Sequence, residues 1–156
     1  MFRKNAFDFE RWAVSMVYGQ PNAKQVGDRG IDGVVRFPLP GKGKFGRMLV
    51  SVKGGQQIGP SAVRDLAGTL KREKAEMGVM IIMRKPTRGI TDEANHSGSY
   101  IWPVDNRSYP RIQIVTVEQL LAGHRLDSPP ALTPYVKAAR AVAPSQQLPF
   151  PQKDSA

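Results

Sequence analysis

Two stretches of β-branched and apolar residues, IDGVVRF at 31–37 and RMLVSVKG at 47–54, decide the fold of this chain. Each has the length and composition of a β-strand. The connecting segment FPLPGKGKFG, 37–46, contains two prolines and three glycines, which is typical of a flexible connection. The two strands are therefore predicted to form an antiparallel hairpin with a long loop.

Further helix and strand patterns flank this hairpin on both sides. They predict helices over 6–18, from about Ser61 to Met77, within 85–98 and over 117–123, and strands over 23–28, 78–83 and 111–116. The run GVMIIM at 78–83 is continuously apolar, as expected for a strand in a sheet that is covered on both faces. Together, these elements predict an α/β fold with a central mixed sheet and helices on both faces.

The length and composition of the chain favour one folded domain. The chain has 156 residues, of which 40% are hydrophobic, and this suits a single core. From Ser128 onward the sequence is rich in proline, alanine and glutamine. We therefore predict a domain over 1–127 and a mostly irregular tail over 128–156.

Several classes of protein are excluded or disfavoured by the composition. The chain has no cysteine and two histidines, which excludes disulfide scaffolds, cysteine nucleophiles and thiolate zinc sites. No run of about 18 apolar residues exists, and the N-terminal stretch carries acids and lacks an apolar segment. We therefore expect no membrane association and a cytoplasmic location.

The charge of the chain is unevenly distributed. The formal net charge is +10. Residues 1–60 carry 10 basic and 4 acidic residues, residues 61–90 carry 7 and 3, and residues 91–156 carry 6 and 6. The whole excess therefore lies in the first 90 residues, which favours a polyanionic partner, nucleic acid above all, over a merely soluble basic protein. A basic RNA-binding protein is a weaker alternative, because the aromatic signatures of RNA recognition are missing.

Polar residues interrupt the two strands of the hairpin at their adjoining ends. Side chains alternate along a strand, so Ser51 and Lys53 share one face. A lysine that follows the apolar run MLVSV is costly to bury unless an acid pairs with it. Asp32 on the neighbouring strand is placed to do so.

The order of these segments resembles that of a known nuclease superfamily. GDRGIDG at 27–33, a long loop and then LVSVKGG at 49–55 are similar to the core of the Mrr-like branch of the PD-(D/E)XK nucleases. Asp32 matches the aspartate, Lys53 the lysine, and Glu10 the glutamate of the first helix. The resemblance covers roughly 6–125 and is closest to Mrr-like segments appended to bacterial DNA methyltransferases.

The resemblance implies a restriction-endonuclease-like, three-layer α/β/α fold and an Mg²⁺-dependent DNA endonuclease of a restriction or defence system, with Mn²⁺ as a substitute ion. Asp32 is then the principal metal ligand, Glu10 the second, and the carbonyl of Val52 a third. Lys53 orients the attacking water. A double-strand cut needs two active sites, which predicts a homodimer acting on double-stranded DNA.

One position departs from the pattern of the superfamily. The residue two before the lysine is Ser51, where the superfamily usually has glutamate, aspartate or, in this branch, glutamine. The hydroxyl is a neutral and weaker metal ligand, and Asp65 is the candidate to replace the missing carboxylate. The alternative is a catalytically weak or inactive nuclease-fold module that binds DNA beside a DNA methyltransferase.

Candidate DNA contacts come from the loop and from the residues after the lysine. Lys42, Lys44 and Arg47 are predicted to contact phosphates, because the loop can extend along a duplex, with a solvated hairpin loop as the equal alternative. Gln56 and Gln57 are predicted to contact the site or the DNA backbone, with an ordinary loop as the equal alternative.

Overall fold

The structure is a computed structural model that describes residues 2–22, 30–55 and 58–132, with side chains from Asp8 onward. Its centre is a five-stranded mixed sheet in the order β1-β2-β3-β4-β7. The strands are β1 Gln20–Pro21, β2 Gly33–Pro38, β3 Phe45–Lys53, β4 Met77–Ile82 and β7 Ile112–Thr116. β1, β2 and β3 are antiparallel neighbours, whereas β3, β4 and β7 run parallel. The predicted hairpin and mixed sheet are confirmed. The strand predicted over 23–28 lies outside the described residues.

One face of the sheet is covered by α1, Phe2–Met16, together with the short α4, Val117–Leu121. Ala13 and Val14 are fully buried there against Val50 and Val52 of β3. Gly33 makes this close approach feasible, because a Cβ at this position would collide with the Val14 side chain.

The opposite face is covered by α2, Pro60–Glu73, and α3, Arg88–His96. The buried side of α2 carries Val63, Leu66 and Leu70, which pack with Leu49 of β3 and Met80 of β4. Both faces are thus helical, and the predicted three-layer α/β/α arrangement is confirmed.

The bounds of α2 differ slightly from the predicted ones, about Ser61 to Met77. α2 begins at Pro60 after the N-cap Gly59, so Ser61 lies inside the helix, and proline at the first helical position explains the earlier start. α2 ends before Lys74, which takes a left-handed conformation. α3 begins at Arg88, where the Thr87 hydroxyl accepts a hydrogen bond from the Ile90 N–H.

A second, two-stranded sheet was not predicted. It consists of β5, Ser99–Trp102, and β6, Arg107–Pro110. The Trp102 indole N–H donates to the Pro38 carbonyl at 2.7 Å, which fixes this hairpin against the end of β2.

The last described residues return along the fold. Pro129 is buried, and the Leu132 N–H donates to the Arg36 carbonyl of β2 at 2.6 Å. Residues 128–132 have no helix or strand but lie against the core. The rest of the predicted tail is outside the described residues, and the boundary at 127 stays a prediction. Within the described part of the chain, no helix has the length and apolarity needed to cross a bilayer.

Candidate functional site

Asp32 lies just before β2, where β2 meets the end of β3. Its N–H donates to the Val50 carbonyl at 2.8 Å, and its Oδ2 accepts a hydrogen bond from the Val52 N–H at 2.7 Å. The β2–β3 ladder ends here, and the Asp32 carboxylate accepts the hydrogen bond that a main-chain carbonyl would otherwise accept. The N–H and carbonyl of one residue point to the same side of a strand, so the Val52 carbonyl also faces this edge.

Asp32 brings together residues from both faces of the sheet. Its carboxyl group forms a side-chain hydrogen bond with Glu10 of α1, and it interacts electrostatically with Lys53 at the end of β3. The Lys53 ammonium lies beside Gly30, about 3.7 Å from where a Cβ would stand. Gly30 has φ +81°, a conformation that favours glycine. The structure therefore unites Glu10, Asp32 and Lys53, as the sequence predicts.

The environment of Asp32 favours its protonated form. Burial raises the pKa of Asp32 from 3.8 to about 6, and this effect is opposed by the hydrogen bond from Val52. The Glu10 carboxylate raises the pKa further, and the Lys53 ammonium lowers it. Burial and the neighbouring Glu10 therefore both favour a protonated carboxyl group on Asp32.

Ser51 occupies the position at which a third acid of the site would stand. It is 3% exposed and lies beside Met80 of β4 in the sheet register. By alternation along β3 it faces the α2 side, together with Leu49. Asp65 does not replace the missing carboxylate, because it lies on the exposed side of α2, opposite Val63 and Leu66.

These residues fit a Mg²⁺ ion poorly. In the described ranges, no group of three or more His, Cys, Asp or Glu side chains could hold a metal ion. Asp32 is engaged by Val52 and by Glu10, and the remaining oxygens of Ser51 and Val52 are neutral. Mg²⁺ prefers anionic oxygens in octahedral geometry, so the ligand set predicted from Asp32, Glu10 and Val52 has little anionic capacity to spare.

The predicted DNA contacts lie at the other end of β3. Lys42 and Lys44 are exposed in the hairpin loop. β3 has nine residues, so this loop is separated from Lys53 by about 26 Å at 3.3 Å per residue. We call the loop 39–44 the hairpin end, and Glu10, Asp32, Lys53 and their surroundings the Lys53 end.

Arg47, by contrast, is occupied within the fold. It is half-buried near the start of β3, and its guanidinium donates to the Glu73 carbonyl. Its N–H donates to the Glu76 carboxylate at 2.8 Å. Gln56 and Gln57 lie outside the described residues, so their predicted contacts stay predictions.

The sequence analysis missed two cations at the Lys53 end. Arg84 and Lys85 are exposed and follow β4 directly. β3 and β4 are parallel, with Lys53 opposite Ile82, so their carboxyl ends meet at one edge of the sheet. Neither cation forms an ion pair with another described residue. The sequence contained a signal for these two cations, because ligands commonly bind at the carboxyl ends of parallel strands.

Comparison with known proteins identifies the family. No curated protein and no solved structure gives a significant match. A family model described as NACHT-associated inactive Restriction Endonuclease 1 matches residues 6–122. The prediction of an active endonuclease is therefore wrong, and the buried, neutral side chain of Ser51 in place of an acid offers a physical reason. The fold prediction stands, and the chain belongs to this family of inactive restriction-endonuclease-like domains.

Proposed function

We propose that this domain binds double-stranded DNA without cleaving it. The observation that carries the proposal is the Lys53 end, where Lys53 lies in a nuclease-like site and Ser51 stands in place of an acid. Arg84 and Lys85 follow the neighbouring strand β4 at the same edge of the sheet. An acid there would repel a phosphate as well as hold a metal. Its absence leaves Glu10 and Asp32 as the acids of the site, beside the cations Lys53, Arg84 and Lys85, and so lowers the repulsion that a phosphate meets at this edge.

The charge of the whole chain supports binding through the DNA backbone. A net charge of +10 attracts duplex DNA largely independently of sequence, and this attraction weakens steeply with salt. Lys42 and Lys44 at the hairpin end extend the positive surface. Contacts to phosphates position a protein but do not read bases, so we expect weak sequence selectivity.

Single-stranded nucleic acid is a poorer fit because, among the described aromatic rings, only Tyr18 and Phe45 are largely exposed, and the Arg36 guanidinium already lies over the Phe45 ring. Trp102 and Tyr109 are 6% and 3% exposed, and the Trp102 N–H is taken by Pro38. Tyr100 lies against Phe37. These rings pack within the fold, whereas single-strand binding relies on exposed ones.

The description of the family also supports a choice of partner. Because the family is described as NACHT-associated, we propose that the domain works beside a NACHT protein. The DNA methyltransferase partner and the Mrr-like branch have no such support and stay predictions. The argument for a homodimer rested on double-strand cleavage, so it no longer applies.

Binding and cleavage can be tested in one pair of assays. Fluorescence anisotropy with a labelled duplex of unrelated sequence, at 50 to 200 mM salt, should give log K against log salt with a slope of about −3 to −5, equivalent to roughly four phosphate contacts. Supercoiled plasmid with Mg²⁺ or Mn²⁺ should stay uncut. No binding at 50 mM salt would refute DNA binding. Nicking that disappears in Lys53→Ala would refute the loss of catalysis.

A further inference from the structure

The outward side of α2 is basic and centred on a glycine. Val63, Leu66 and Leu70 face the sheet, so at 100° per residue the opposite side is centred on Gly68. Arg64, Lys71 and Arg72 surround it and are exposed, together with one acid, Asp65, so the three cations outnumber it. We call Arg64, Asp65, Gly68, Lys71 and Arg72 the outward face of α2.

Packing within the described chain does not account for Gly68. Glycine is among the least favourable residues in the interior of a helix. A Cβ at position 68 would meet only the Arg72 Nη1, at an ordinary 3.5 Å. Gly78 of β4 shows the contrast, because a Cβ there would press on Leu66 and Leu70 at 3.3 Å. Gly78 is required by the core, whereas Gly68 leaves an open place on the surface.

The cations around this open place are partly held in position. The Arg72 guanidinium donates to the Thr69 hydroxyl at 2.9 Å, beside Gly68. Arg64 pairs with Glu93 of α3 at 3.0 Å and keeps 58% of its side chain exposed. Lys71 has no ion pair within the described residues. Basic residues in the last turn also stabilise the helix dipole, but that effect does not explain a glycine at the centre of the face.

We propose that the phosphodiester backbone of duplex DNA lies along the outward face of α2, with Gly68 as the point of closest approach. This inference rests on the proposed DNA binding and assigns it a surface. A helix of 14 residues is about 21 Å long, which equals roughly six phosphates along one strand. α2 starts near the Lys53 end and finishes beside Arg47, so this path joins the two basic ends of β3.

A bulky neutral side chain at the centre tests the inference directly. Gly68→Leu should raise the melting temperature by about 2 °C, because leucine favours the helix. It should nevertheless weaken duplex affinity roughly fivefold or more by displacing the contacts of neighbouring cations. Ala122→Leu is the matched control, since Ala122 is exposed beside α4 on the other face of the sheet. It should leave the affinity unchanged.

A charge variant tests the same surface without relying on Gly68. Lys71→Gln combined with Arg72→Gln should flatten the plot of log K against log salt by about 1.8 units, or 0.9 per lost phosphate contact. If the wild type binds duplex and both α2 variants match it, the α2 path is refuted, the proposed DNA binding stands, and the face is left to a protein partner. If the wild type itself does not bind, the proposed function fails.

Discussion

The two ends of β3 present polar residues in different ways. At the Lys53 end, a hydrogen bond from the Val52 N–H and a side-chain hydrogen bond with Glu10 hold Asp32, and Lys53 lies close by. At the hairpin end, the Lys44 N–H donates to the Gly41 carbonyl and the Lys44 carbonyl accepts from the Leu39 N–H. The side chains of Lys42 and Lys44 are exposed and form no ion pair with other described residues. The first end has the geometry of a catalytic site without its full ligand set. The hairpin end offers positive charge, but no ion pair within the described chain fixes the arrangement of its lysine side chains.

The largest expected effect comes from adding an acid at each end of the strand. Ser51→Glu forces a carboxylate into a buried position beside Met80, so we expect a loss of roughly 2–4 kcal/mol in the free energy of unfolding. Lys44→Glu adds the same acid at an exposed position, and a change within about 0.5 kcal/mol is expected. Urea unfolding of both variants provides the measurement.

The same experiment checks why the family is inactive. If Ser51→Glu is as stable as the wild type, the position has room for a carboxylate, and burial is not the reason that an acid is missing. Mg²⁺-dependent nicking by that variant would show that a single residue separates this domain from catalysis.

The second effect concerns the pH dependence of stability at the Lys53 end. The pKa of folded Asp32 is raised from 3.8 to about 6, so the folded state holds this proton more tightly than the unfolded state. Asp32 therefore destabilises the fold least below about pH 4. The free energy of unfolding falls as the pH rises from about 4 through 6. Because Asp32 is half-buried, we expect a loss of about 1–2 kcal/mol after solvent screening.

Asp32→Asn isolates this contribution. The amide oxygen can still accept the hydrogen bond from Val52 but carries no charge, so the variant should be about 1–2 kcal/mol more stable than the wild type at pH 7.5. At pH 4.5 the difference should shrink. Asp65→Asn, at an exposed carboxylate, is the control and should show neither change. A less stable Asp32→Asn at pH 7.5 would mean that the ionised carboxylate contributes favourably.

The sequence predicted most of the fold because its core elements have strong, consistent patterns. β4 is continuously apolar and proved fully buried, and the Pro/Gly-rich loop marked the hairpin. β5 and β6 escaped prediction because each has four residues. Their position depends on long-range contacts, such as that of Trp102 with Pro38, which no local pattern contains.

The site was predicted in part for the same reason. The meeting of Glu10, Asp32 and Lys53 follows from strand order, so matching the motif was sufficient. The hydrogen bond that joins Glu10 to Asp32, and the burial of Ser51, depend on the distance between α1 and the sheet and on the packing of α2. Neither is encoded in spacing, which is why the sequence overestimated the catalytic capacity of the site.

The third effect tests the hairpin end. Lys42→Gln combined with Lys44→Gln should flatten the salt dependence of duplex binding by about 1.8 units, which weakens binding roughly tenfold at moderate salt. Stability should stay within about 0.5 kcal/mol of the wild type, because both side chains are exposed. An unchanged slope would show that the hairpin end does not touch DNA, and only the Lys53 end and α2 would remain as candidate surfaces.

The smallest expected effect is that of Mg²⁺ on stability. The ion must compete with the proton that Asp32 holds and with the Val52 N–H, and within the described ranges no group of three acids assists it. We expect a dissociation constant of 10 mM or weaker, so that 10 mM Mg²⁺ stabilises the fold by at most about 0.4 kcal/mol. Melting temperatures at matched ionic strength, with Asp32→Asn as the control, give the measurement. Because the proton leaves Asp32 above about pH 6, any effect should grow with pH and vanish in Asp32→Asn. If Mg²⁺ instead raises the melting temperature by more than 5 °C and Asp32→Asn abolishes this rise, the Lys53 end contains a functioning metal site that the hairpin end lacks.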